Sequence, residues 1–100
     1  MVAAVCWQYR AVVLDEQLLR QVCDCARAFG ASRVLLFGSA AEAPERAHDL
    51  DLAVDGVEGW DLFRLGAMLE RMTGVPVDLV PLSPPTPFTR YIEARARVLS

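Results

Sequence analysis

Apolar positions divide this chain into alternating helical and extended stretches. Between Asp15 and Phe29, Leu18, Val22, Cys25, Ala26 and Phe29 recur every three or four residues, which predicts a helix with one apolar face. Asp15 suits the N-cap and its charge suits the positive end of the helix, while Gly30 suits the residue just past its C-terminus. A second helix is predicted over Trp60 to Met72, with Leu62, Leu65, Leu69 and Met72 buried and Gly74 as its stop. Three short apolar runs read as strands: Arg33 to Phe37, Asp49 to Val54, and Val75 to Val80. The first is almost wholly apolar, so it belongs in the middle of a sheet, buried on both faces. Asp55-Gly56 ends the second. Pro76 opens the third, as an edge or a strand end tolerates.

The remaining stretches are less regular. Ser39 to Arg46 reads as a short helix or a turn, favoured by Ala40, Ala41 and Ala43 and limited by Pro44. Ser83 is expected to cap a last helix from Pro84-Pro85 to about Ala94, and Arg97-Val98-Leu99 to add a short final strand. Residues 1–14 alternate weakly and read either as an edge strand or as an arm that packs on a partner. The second strand follows the first too closely for a long crossover. The order therefore predicts an α/β (α+β) fold, with a short antiparallel or mixed sheet and helices packed mainly on one face.

The 100 residues are expected to form a single domain, 1–100. An apolar fraction of 54% is high for that size and predicts an interface with a partner or a second copy. Net charge is −3, and no basic stripe runs along the chain, which argues against direct nucleic-acid binding. Cys6, Cys23 and Cys25 are odd in number and form no framework, as expected in a reducing cytoplasm. Cys23 and Cys25 would point about 200° apart on a helix, so they are poorly placed to share a metal. Neither a secretory leader nor a run of about eighteen apolar residues is evident, so no membrane role is expected.

Candidate chemistry lies between the first two strands. Gly38-Ser39 ends the first, and Asp49-Leu50-Asp51 begins the second nine residues later, at residues 40–48 between them. In an extended chain Asp49 and Asp51 share a face, about 7 Å apart. Two like charges beside an apolar core are unfavourable unless a cation or water compensates them. Asp78 is placed likewise between Val77 and Leu79 in the third strand. Three carboxylates on one sheet face can hold two Mg²⁺ ions, the arrangement that serves phosphoryl and nucleotidyl transfer. Gly38 allows a close backbone approach to a phosphate, and Ser39 offers a hydroxyl and an amide N–H. Gly-Ser or Asp-x-Asp alone is commonplace; their joint order with a third aspartate is much more specific.

On Gly38, Ser39, Asp49, Asp51 and Asp78 the sequence resembles the DNA polymerase β-like nucleotidyltransferase superfamily, and within it the minimal nucleotidyltransferases. The resemblance extends over about residues 16–99, including Pro76 to Val80 and the ending Ile92 to Leu99. It implies the nucleotidyltransferase fold and ATP bound with Mg²⁺. Asp49, Asp51 and Asp78 would be the catalytic and metal-binding residues, and Gly38 and Ser39 the nucleotide-binding ones. It also implies an antitoxin whose partner is a HEPN-type ribonuclease toxin, silenced by AMP transfer to a tyrosine hydroxyl. The chain departs from the pattern at Ala40-Ala41-Glu42-Ala43, where a basic residue usually follows Gly-Ser. Its spacer is one residue short, and Arg95-Ala96 stands where Glu-Gly is common. Arg46 is a substitute cation in the same loop, whereas His48 reads as a surface residue. Two functions follow: a protein adenylyltransferase-like enzyme, or a binding module of weakened catalysis that neutralises its partner by covering it.

Overall fold

Two neighbouring central strands set the architecture. In the computed structural model, which describes residues 14–43 and 48–99, β1 (Arg33–Phe37) pairs antiparallel with β2 (Leu50–Asp55). Strand β3 (Val77–Pro81) runs parallel to β2, and β4 (Arg97–Val98) antiparallel to β1. The sheet is thus mixed, in the order β3-β2-β1-β4. As its apolar run predicts, β1 is central, and β2 is central beside it: Val34, Leu35, Leu36, Leu50, Leu52, Ala53 and Val54 are all buried.

The helices are α1 (Glu16–Ala28), α2 (Ser39–Glu42), α3 (Trp60–Thr73) and α4 (Pro87–Arg95). Asp15 caps α1 as expected, its side chain accepting from the Leu18 amide at 2.8 Å. Gly74 ends α3 in the left-handed conformation, φ 78°. The two long helices cover one face. Leu19, Val22 and Ala26 of α1 and Leu65 and Leu69 of α3 pack with Val34, Leu36, Leu50, Leu52 and Val54. Leu14, at the start of the described chain, belongs to that core. The other face has a smaller apolar cluster, where Leu35, Ala53 and Leu82 meet Ile92 of α4.

Three boundaries differ from the sequence reading. Thr86, rather than Ser83, caps the last helix: its Oγ1 accepts from the Thr89 amide at 3.1 Å, and Thr89 Oγ1 accepts from the Thr86 amide at 2.8 Å. This reciprocal capping box favours Thr86, with Pro87 in the first turn where a missing N–H costs nothing. The last helix starts accordingly at Pro87. Asp49 lies just ahead of β2, because the ladder begins with Leu50, whose amide donates to the Pro76 carbonyl at 2.9 Å. The third strand begins at Val77, with Pro76 before it. The readings of residues 1–13 and of Arg46 lie outside the described residues. Among the described residues, no helix is long and apolar enough to cross a membrane.

Candidate active site

Strand alternation puts the carboxylates on the sheet face opposite the two long helices. Within β2, Leu50, Leu52 and Val54 point to the large core, so Asp51 and Ala53 point away from it. Register does the rest. Asp51 is the cross-strand partner of Asp78 on one side and of Phe37 on the other. Asp51 is half-buried, whereas Asp49 and Asp78 are exposed.

The charges interact. Burial raises the Asp51 carboxyl above the ordinary aspartate range, and the negative charges of Asp49 and Asp78 raise it further. Asp51 is thus the electrostatic centre of the three. Among the described residues, no three histidine, cysteine or acidic side chains converge closely enough to hold a metal ion as they stand. The donor set is nonetheless chemically suited to Mg²⁺, which favours carboxylate oxygens and keeps part of its water shell. A cation beside Asp51 would also relieve the repulsion that raises its carboxyl.

Gly38 is fitted to this site by its lack of a side chain. Its backbone has φ 73° and ψ −154°, a region essentially reserved for glycine. A Cβ there would collide with Asp51 Oδ2 and lie 3.3 Å from its Cγ. The turn therefore passes directly over the central carboxylate. Ser39 follows, exposed, at the start of the four-residue α2, while Ala40 anchors that turn in the core. All five residues singled out in the sequence fall on this side of the molecule, with Asp49 at the lip of β2 rather than within it.

A cleft opens on each side of the sheet. One, about 520 Å³, runs between α3 and the outer edge of β3, lined by Leu62, Phe63, Gly66 and Leu79 and reaching Asp78. Trp60 and Phe63 stand exposed beside it, their ring centroids 5.7 Å apart. The other, about 250 Å³, lies between Gly38 and α4. Phe37 meets Phe88 there edge to face, at 6.3 Å. The sequence did not place Phe88 and Tyr91 beside the candidate site, because nothing local shows which helix faces the Gly38 turn.

No family model matches the sequence, and no curated protein matches it. Solved structures do. A protein assigned as a minimal nucleotidyltransferase is 34% identical, with a TM-score of 0.67 over 83% of this chain and 94% of its own. The complex of tri-AMPylated Shewanella oneidensis HEPN toxin with MNT antitoxin matches with a TM-score of 0.68 at 20% identity, over 86% of this chain and 72% of the other. A toxin–antitoxin structure with AMP-PNP matches with a TM-score of 0.71 at 20% identity, over 87% and 73%. The latter two show the common fold. The first, similar in sequence over nearly its whole length, shows more: the chain belongs to the minimal nucleotidyltransferases.

Proposed function

We propose that this chain is a Mg²⁺-dependent nucleotidyltransferase, moving AMP from ATP to a tyrosine hydroxyl of a HEPN-type toxin and acting as that toxin's cytoplasmic antitoxin. The observation that carries this reading is the position of Asp51, cross-strand from Asp78 and directly under the Gly38 turn. The similar complex of an AMPylated HEPN toxin with its MNT antitoxin supports the choice of acceptor and partner.

Asp49, Asp51 and Asp78 are the residues that would hold Mg²⁺. When bound, the metal offsets negative charge on the phosphates and on the attacking oxygen. Gly38 admits a phosphate close to the backbone, and the exposed Ser39 hydroxyl donates to a phosphate oxygen. The acceptor oxygen bonds to the α-phosphorus, the bond to the bridging oxygen breaks, and pyrophosphate leaves. An exposed Asp78 carboxylate oxygen takes the hydroxyl proton. Trp60 and Phe63, exposed beside the cleft between α3 and β3, suit contact with a partner protein's surface.

A second reading has an observation of its own. Over the described residues of the turn, 38–43, the only charged side chain is Glu42, and none is a cation for phosphate. On that reading the fold neutralises its partner by covering it, without turnover. One experiment separates the two. The partner is incubated with this chain, Mg²⁺ and ATP, and its intact mass is measured beside a parallel reaction with Asp49→Asn/Asp51→Asn. An adenylyl mass gain confined to the wild type is expected. No gain, with a complex formed equally by both versions, would establish the binding module instead.

A further inference from the structure

Over the described residues of the turn that would receive the phosphates, 38–43, Glu42 is the only charge, and the Asp51 carboxylate lies against Gly38. A triphosphate placed there meets like charge, and a cation from another element would offset it. The 250 Å³ cleft contains one. Gly38 and Glu42 line it from the turn, and Phe88, Tyr91 and Arg95 line it from α4. Arg95 is the one cation among the described residues that line this cleft.

The surroundings of Arg95 keep it available. Its guanidinium carbon lies 4.0 Å from the Tyr91 ring centroid, a cation–π contact that restrains a long side chain without neutralising it. Among the described residues no carboxylate pairs with it, whereas Arg33 is held by Glu93, Arg64 by Asp61 and Arg97 by Glu16. The cleft is smaller than the roughly 300 Å³ at which small-molecule sites begin. It therefore takes part of a nucleotide rather than the whole.

We propose that Arg95, held over Tyr91, is the triphosphate-binding cation of this chain. It reaches from the last turn of α4 across the cleft to phosphates seated at Gly38 and Ser39. This rests on the nucleotidyltransferase reading above and identifies a source of the charge that residues 38–43 lack.

The test is equilibrium binding of ATP and of AMP, with Mg²⁺, to the full chain and to Arg95→Ala, Arg95→Lys and Arg90→Ala. Losing a charge-assisted contact should weaken ATP binding roughly ten- to a hundredfold in Arg95→Ala, with AMP binding changed much less. Arg95→Lys should recover part of the preference for ATP, and Arg90→Ala, exposed on the same helix, should behave as wild type. Equal ATP-to-AMP preference in wild type and Arg95→Ala would overturn the proposal and leave the nucleotidyltransferase reading standing. A wild-type chain that binds no ATP would overturn both. Arg95 is exposed, so its replacement should not unfold the domain, and an unchanged circular dichroism melt checks this.

Discussion

The two faces of the sheet are built from the same strands and do opposite things. On one, Leu36, Leu50 and Leu52 are sealed under α1 and α3. On the other, α4 covers Leu35 and Ala53 with Ile92, and Asp51 and Asp78 remain within reach of solvent. Adjacent residues of β2 therefore belong to different regimes. Leu52 stabilises by leaving water, whereas Asp51 is held in a costly position that a bound cation would relieve. Stability is concentrated on the closed face, and the candidate site occupies the half-covered one.

Neighbouring substitutions in β2 should break this contrast most visibly. Leu52→Ala leaves a cavity in the closed core and should cost about 2–5 kcal/mol, read as a lower midpoint in urea. Asp51→Asn should instead abolish AMP transfer while the domain stays folded, and its metal-free melting temperature should rise. The sign follows from linkage. Because the folded Asp51 carboxyl is raised, the native state holds the proton more tightly than the unfolded chain. Wild-type stability from this group is fully present in acid and falls as pH rises from the ordinary aspartate range through the raised value. The advantage of Asp51→Asn should therefore appear above that window and vanish below it. A melting temperature that falls in Asp51→Asn at neutral pH would show that Asp51 is structural.

Gly38→Ala sharpens the comparison from the turn side. It forces a side chain into a glycine-only conformation and against Asp51 Oδ2. A loss of about 1–3 kcal/mol is expected, together with lost transfer, measured by thermal melting and by the mass assay. The smallest effect should come from Thr86→Ala. Removing that cap should cost about 1 kcal/mol and loosen α4 without touching the aspartates. Hydrogen exchange at the amides of the first turn of α4 would report it.

Much of this was legible in the chain because it is local. An apolar run marked β1 as central, helical spacing marked α1 and α3, and Gly38-Ser39 with Asp49, Asp51 and Asp78 marked the candidate site. The errors were also local in origin. Ser83 and Thr86 are both capping residues among prolines, and only the geometry of the Thr86–Thr89 pair separates them. Asp49 appeared to extend β2 because alternation continues past the point where Leu50 begins the ladder.

The sequence by itself determined which residues prefer helix or strand, which side chains seek burial, and the order of turn and carboxylates. Those properties depend on neighbours a few positions away. Tertiary structure alone decided that Asp51 and Asp78 are cross-strand partners, that α4 lies on the face away from the long helices, and that Arg95 shares a cleft with Gly38. Strand register and helix placement are set by how whole faces pack, and no local pattern along the chain contains that information.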